Sequence, residues 1–242
     1  MKTIKTEVID FHGIPVTVAW SVPKRGITLR VKSPDGNVTV SAPLGVGMNE
    51  VVDLLSQRHE WIIRNRERIL AQPHPVQPKY EDGESILMFG QPYTLRVIQS
   101  DTDYPGVGVK TDSIVMTVRK GTSFATRKRM LDEFRLLTLD FMISGLHEAY
   151  YKEMHCDPIP FRIMRRKSVW GTFNARNRSI IYNLALSQVN PAYLQYVVVH
   201  EMTHQYVRAH NQEFYDRVAA FLPNWKELRA GLRKFASENV VF

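Results

Sequence analysis

Residues 200–210 read HEMTHQYVRAH, so His200, His204 and His210 surround one acid, Glu201, within eleven positions. Side chains four apart on an α-helix stand over one another, so His200 and His204 can direct ring nitrogens at a single ion. Glu201 lies about a hundred degrees around the same helix, near enough to reach a water on that ion without taking a coordination place. This is the arrangement of zinc hydrolases, with the glutamate as general base. His210 is too far along a straight helix to meet the same ion, so the chain must bend between His204 and His210. A break near Ala209–Asn211, with Asn211 capping a new helix, would return His210 as the third protein ligand. Three protein ligands leave a fourth tetrahedral position for water, whose pKa zinc lowers to ~7. His12, His59, His74, His147 and His155 have no partner at ligand spacing and read as structural or solvent-facing.

Composition narrows the setting of this site. No stretch approaches the ~18 consecutive apolar residues of a membrane span. The segment MKTIKTEVIDFHG interrupts its apolar residues with Glu7 and Asp10, unlike a secretory signal, so a soluble, cytoplasmic chain is expected. Cys156 is the single cysteine, which excludes an internal disulfide and a four-cysteine zinc site. Lys and Arg number 32 against 24 Asp and Glu, leaving a net charge of +8. That excess favours anionic partners, phosphates or non-specifically bound nucleic acid, although a solvated surface accounts for it equally well.

The expected fold class is α+β. ITLRVKSPDGNVTVSAP alternates Ile27, Leu29 and Val31, turns at Asp35-Gly36, and alternates again through Val38 and Val40, a hairpin signal. NEVVDLLSQRHEWIIRNRERILAQ predicts one helix near 49–71 with Asn49 as its N-cap. QPHPVQPKYEDGES, with Pro73, Pro75, Pro78 and Gly83, predicts an exposed connector. ILMFGQPYTLRVIQS and VGVKTDSIVMTVRK each suggest two short strands about a turn, and no repeat of 20–50 residues is visible. From Ser123 long helical patterns take over, the first opening with a basic turn, Arg127, Lys128 and Arg129, against the helix dipole. FRIMRRKSVWGTFNARNRSIIYNLAL predicts strands through Ile163 and Ile180-Ile181 with an irregular stretch at Gly171. Asn190-Pro191 opens the motif helix, and further helices start near Asn211 and Asn224. The division expected is a β-rich region over 1–122 and a metal-hydrolase domain over 123–242.

VWGTF at 169–173, RSIIYNLAL at 178–186, YVVVHEMTHQYVRAHNQEFY at 196–215 and NWKELRAGL at 224–232 together resemble the YgjP-like family of zinc metallopeptidases or metal-dependent hydrolases. KRGITLRVKSPDGNVTVSAPLGV, HEWI and GQPYTLRV are similar to that family's amino-terminal region. The resemblance implies a zincin-like domain, an active-site helix beside a small antiparallel sheet. It also implies zinc on His200, His204 and His210, with Glu201 as base. The chain departs from the family where Trp170-Gly171-Thr172-Phe173 stands for Trp-Gly-Ser-Cys, where Val169 replaces an arginine, and where Ala209 replaces an asparagine. A Phe173 ring facing the cleft would reshape its wall.

Three functions compete for such a site. In the first, a peptidase, Glu201 takes a proton from the attacking water and returns it to the leaving nitrogen of a polypeptide. The second starts from Arg162, Arg165, Arg166, Lys167, Arg176 and Arg178, all within seventeen residues. Arginine binds phosphate oxygens in bidentate fashion, so Arg165, Arg166, Lys167 and Arg176 are candidate substrate-binding residues of a nucleoside triphosphate pyrophosphohydrolase, an activity the resemblance also allows. A solvated strand edge explains the cluster as well. The third is a nucleic-acid-associated module with structural zinc, which would need a fourth protein ligand that the sequence nearby does not supply.

Overall fold

The structure is a computed structural model and describes residues 2–22, 25–32, 35–71, 78–101 and 104–239. The chain forms two compact units, Met1–Val76 and Gln77–Phe242, each built by strands whose apolar residues alternate and helices that cover them. The fold is α+β.

In the first unit, β1 (Lys2–Phe11) and β2 (Ile14–Val22) form a hairpin. Its turn residues His12 and Gly13 both have positive φ, 53° and 76°, as a two-residue turn needs in order to follow the strand twist. β3 (Thr28–Lys32) and β4 (Asn37–Ala42) pair antiparallel with Val31 opposite Val38, forming the expected hairpin. β2 pairs in parallel with β4, giving the order β1-β2-β4-β3. Val16, Val18 and Trp20 of β2 and Val38 and Val40 of β4 are buried, in one core with Val51, Leu55 and Ile62. Those last three come from two helices, α1 (Met48–Gln57) and α2 (His59–Leu70), not the single helix expected over 49–71. The break is at Arg58, whose φ −108° and ψ 11° depart from helical values. Asn49 lies inside the first turn. Gly47 is the N-cap, and its N–H donates to the Glu50 carboxylate at 3.0 Å.

The second unit opens with β5 (Ser85–Met88), β6 (Gln91–Gln99), β7 (Gly106–Lys110) and β8 (Ser113–Val118). Their order, β5-β6-β8-β7, repeats the antiparallel, parallel, antiparallel pattern of the first sheet. Of the connector expected over 72–85, residues 72–77, which include Pro73, His74 and Pro75, lie outside the described residues. The long helix α3 (Phe124–Met154) starts at Ser123, whose hydroxyl accepts from the Thr126 N–H. Its basic first turn is balanced one turn on, with Lys128 on Asp132 at 2.7 Å and Arg129 on Glu133 at 3.2 Å. Leu131 of α3 shares a core with Leu95, Ile114 and Met116. The boundary expected at 122/123 therefore falls inside the second unit, between a sheet and the helix it packs on.

Downstream, β9 (Phe161–Met164), β10 (Gly171–Asn174) and β11 (Ser179–Asn183) form a sheet of order β10-β11-β9, β11 running antiparallel to β10 and parallel to β9. Gly171, expected in an irregular stretch, opens a strand. A 3-10 helix, Leu184–Gln188, leads to α4 (Pro191–Thr203), followed by α5 (Gln212–Phe221) and α6 (Trp225–Asn239). Leu194, Val198 and Met202 of α4 are buried with Leu139 and Ile143 of α3, Ile180 and Tyr182 of β11, and Phe214 of α5. Among the described residues no helix is long and apolar enough to cross a membrane.

One turn ties the four-stranded sheet of this unit to α4. Phe89 and Gly90, between β5 and β6, both have positive φ, 46° and 79°. Their N–H groups donate to the Ser187 and Gln188 carbonyls at 2.8 and 3.0 Å. Those carbonyls immediately precede the helix start, where the Asn190 side chain accepts from the Ala192 N–H at 2.9 Å. A Cβ on Gly90 would come within 2.9 Å of the Asn190 Cα, whereas one on Gly83, at φ 86°, would meet nothing within 4 Å. Gly83→Ala should therefore cost only its backbone strain, about 1 kcal/mol. Gly90→Ala should cost about 2–3 kcal/mol and lower the Tm measurably more, a difference thermal unfolding of the two variants will read.

Candidate active site

α4 ends at Thr203 with His204 as C-cap at φ −62°, ψ −15°, earlier than the break expected near Ala209–Asn211. The Thr203 hydroxyl donates back to the Val199 carbonyl at 2.7 Å, and the N–H groups of Tyr206 and Val207 both turn back onto the Thr203 carbonyl, at 3.0 and 3.2 Å. The chain then re-enters a helix at Asn211, whose side chain accepts from the Phe214 N–H at 3.0 Å and caps α5 as expected. His210, just ahead of that cap, is carried back over the end of α4.

The three imidazoles converge. His210 Nε2 stands 3.0 Å from His200 Nε2, and the potential ligand atoms of His200, His204 and His210 all lie within 4.8 Å of one another. Nitrogens bound to a tetrahedral zinc at about 2.0–2.1 Å are roughly 3.3 Å apart, so the cluster fits one ion after small ring movements. The orientation of one ring agrees with that fit. His204 Nδ1 lies 3.1 Å from the Val207 carbonyl; donating there fixes the proton on Nδ1 and leaves Nε2 as lone-pair donor. Burial and the neighbouring His204 and His210 push the His200 pKa down to about 3. Burial lowers that of His204 as well. Both are uncharged near neutral pH, the state a metal requires.

Glu201 is buried beside them, and burial pushes its carboxyl up to about 7 against the Phe173 backbone N–H, which favours the charged form. A base poised there matches the operating pH of proton transfer. Gly171 explains its own identity at this point: a Cβ would fall 2.6 Å from Glu201 Cγ and Oε1, so the glutamate side chain occupies the space a side chain on β10 would need. Among the described residues β10 pairs with β11 alone, which leaves its other edge beside α4. Phe173 faces the site, stacked on His204 at 6.4 Å between ring centroids, and so narrows the wall as its bulk led one to expect.

Two cavities share Gly171, His200 and Glu201. One, of about 390 Å³, runs past Phe173, His204 and His210 to Arg208. The other, of about 250 Å³, lies against Trp170, Val197 and Leu232 and carries Arg229 and Arg233 of α6. The basic cluster singled out in the sequence lines neither cavity: Arg165, Arg166, Lys167 and Arg176 are absent from both walls. Arg165 instead pairs with Asp132 and Arg178 with Asp157 at 3.9 Å. Burial pushes the Asp132 carboxyl up, yet Lys128 and Arg165 hold it below its usual value. The cations at the site, Arg208, Arg229 and Arg233, were not singled out by sequence reasoning. Arg208 at least stood two positions from His210, but the other two gave no local signal.

Two buried polar residues hold β10 and β11 in place. Asn183 Nδ2 donates to the carbonyls of Arg166 and Val169 at 2.9 and 2.8 Å, while its Oδ1 accepts from the N–H groups of Arg166 and Ala185 at 3.3 and 3.1 Å. Its full bonding capacity thus anchors the loop that delivers Trp170 and Gly171. His147 links β11 to α3. The Tyr151 hydroxyl donates to the Ile159 carbonyl at 2.9 Å, so His147 Nδ1 must donate to Tyr151 and its Nε2 must accept from Tyr182, at 2.8 and 2.9 Å. Burial drives the His147 pKa to about 4, keeping it neutral. His147 is structural, as the sequence suggested. His12 sits in a turn and His155 caps α3 in the left-handed region at φ 52°.

Residues 25–235 match a family model described as YgjP-like, metallopeptidase domain. No curated protein matches the chain.

Metal analysis of the purified chain should find a single zinc that Glu201→Gln retains and His204→Ala loses; retention by His204→Ala would refute the ligand assignment. The metal-free protein carries a second signature. Glu201 is raised from 4.5 to about 7, so the folded chain binds its proton more tightly than the unfolded chain. That contribution is full below about pH 4.5 and is lost as the pH rises through about 7. Chelator-treated Glu201→Gln, which cannot lose it, should gain stability on the wild type between about pH 5 and 8, by something on the order of 2 kcal/mol. A Tm gap that stays constant across that range would contradict a buried Glu201 carboxyl.

Proposed function

The chain belongs to the YgjP-like metallopeptidase family, and from that premise we propose that it is a zinc-dependent peptidase with Glu201 as its general base. The observation that carries this reading is the meeting of three imidazoles around one point, His200 and His210 only 3.0 Å apart, with a buried glutamate beside them. Zinc on His200, His204 and His210 would supply Lewis acidity, polarising a carbonyl and making water acidic enough to attack at neutral pH.

The chain's own residues do the rest. Glu201, with its carboxyl near neutrality, receives a proton from the attacking water and returns it to the leaving nitrogen. Gly171 holds the space in which that carboxylate stands. The outer edge of β10 offers main-chain partners to an extended peptide, which would add to the sheet as a further strand, and the Phe173 ring forms an apolar wall beside His204.

A second reading has a specific observation behind it. Arg208, Arg229 and Arg233 border the two cavities, and three guanidinium groups suit the phosphates of a nucleoside triphosphate. One experiment separates the readings: zinc-loaded chain incubated with unfolded polypeptides and, separately, with nucleoside triphosphates, each against Glu201→Gln. The expected outcome is polypeptide cleavage that falls by roughly 10²–10⁴-fold in Glu201→Gln and falls also in Gly171→Ala, with zinc kept in both. Hydrolysis of triphosphates alone would move the assignment to a pyrophosphohydrolase. Hydrolysis of neither, with salt-dependent DNA retardation that survives Glu201→Gln, would favour the nucleic-acid-associated module.

A further inference from the structure

The smaller cavity has a divided character. Val169, Trp170, Val197 and Leu232 supply apolar surface, and Arg229 and Arg233 supply two positive charges one helical turn apart. Like charges at that spacing repel and weaken a helix. Among the described residues neither arginine has a carboxylate within ion-pair distance, while other cations of this unit do, such as Lys128 on Asp132 and Arg217 on Glu213. The one acid lining the cavity is Glu201, already engaged as base.

The Arg229 guanidinium is also held in position. Arg229 lies over the Tyr215 ring, 5.5 Å from its centroid, and Tyr215 stacks on Trp225 at 4.3 Å with the rings 11° from parallel. α6 itself is fitted closely to α4: a Cβ on Gly231 would come 2.3 Å from the Tyr193 hydroxyl, so only glycine allows this approach. Two unneutralised arginines, Arg229 held over Tyr215 and Arg233 exposed, thus share a cavity of about 250 Å³ with His200 and Glu201. That volume takes one side chain, and the cavity begins where the bond to be cleaved would sit.

We propose that this cavity is a subsite for a substrate carboxylate, bound by Arg229 and Arg233 beside the scissile bond, and that the chain prefers peptides that place an acidic group there. The proposal rests on the peptidase reading and names its specificity. The carboxylate has two sources, the side chain of an acidic residue or the free end of a short peptide. Either would meet planar, forked donors over an apolar floor.

The test reads binding, without turnover. Zinc-loaded Glu201→Gln is titrated by fluorescence anisotropy with paired peptides: one pair differing only as Glu or Gln at the positions flanking a central bond, the other only as a free or amidated carboxy terminus. The acid of at least one pair should bind ~10-fold or more tightly than its amide, and the pair that discriminates identifies the source. Adding Arg229→Gln with Arg233→Gln should bring the ratio close to one, while Arg229→Lys should keep part of it. Equal binding of acids and amides, or a preference that survives both substitutions to Gln, would overturn the proposal. So would tight binding of a nucleoside triphosphate through the same arginines with no acid preference among the peptides. If wild type cleaves no peptide while the acid preference persists, the peptidase reading fails and the carboxylate site stands. Cleavage without preference has the opposite meaning.

Discussion

Ten residues of unbroken α-helix rise about 15 Å, yet the Nε2 atoms of His200 and His210 are 3.0 Å apart. The site depends on ending α4 at once after His204 and reversing the chain within six residues. No glycine or proline lies between His204 and Asn211 to impose that stop. It comes from main-chain bonds onto the Thr203 carbonyl, from the Thr203 hydroxyl taking the Val199 carbonyl, and from Asn211 restarting the helix. Phe214, the first buried residue of α5, then packs against all three imidazoles at 4.6–4.9 Å between ring centroids. One phenyl ring thereby keys the new helix to the end of the old one.

Behind this reversal, two sets of buried polar groups act as spacers with their hydrogen bonds made. Asn183 fixes the loop into β10, and the Tyr182–His147–Tyr151 chain fixes β11 to α3. Leaving such groups unpaired in a core costs about 1–3 kcal/mol each, so they define the position of the sheet more sharply than apolar packing alone. Glu201 belongs to the same interior but is the exception that chemistry requires, an acid held where its charge is disfavoured.

How much of this was legible in the sequence follows from the range of the forces involved. The pairing of His200 with His204 and the position of Glu201 were legible because helical period fixes them locally. So were the caps Asn190 and Asn211, each of which bonds within its own first turn. The end of α4 at His204 was not legible, since a turn set by main-chain bonds has no composition signature here. The break at Arg58 escaped for a similar reason: apolar residues continue at helical spacing across it, and only its backbone angles differ. Gly171 looked like a loop residue because the partners that make it a strand, Tyr182 across the ladder and Glu201 beneath it, are eleven and thirty residues away. The arginines near Arg165 were close in sequence to the site strand, yet the loop that carries them turns them toward Asp132 and solvent. Arg229 and Arg233 reach the cavity by helix packing, which no short window of sequence contains.

The tip between β5 and β6 holds the segment in front of α4 through two main-chain bonds, Phe89 to Ser187 and Gly90 to Gln188. A fragment cut at 122/123 would keep His200, Glu201, His204, His210, Arg229 and Arg233, and would still lack the strut that positions α4. Contacts so distant along the chain also form late and slowly in folding. The strut is synthesised about a hundred residues before the helix it steadies, so the two can join only once α4 has itself emerged.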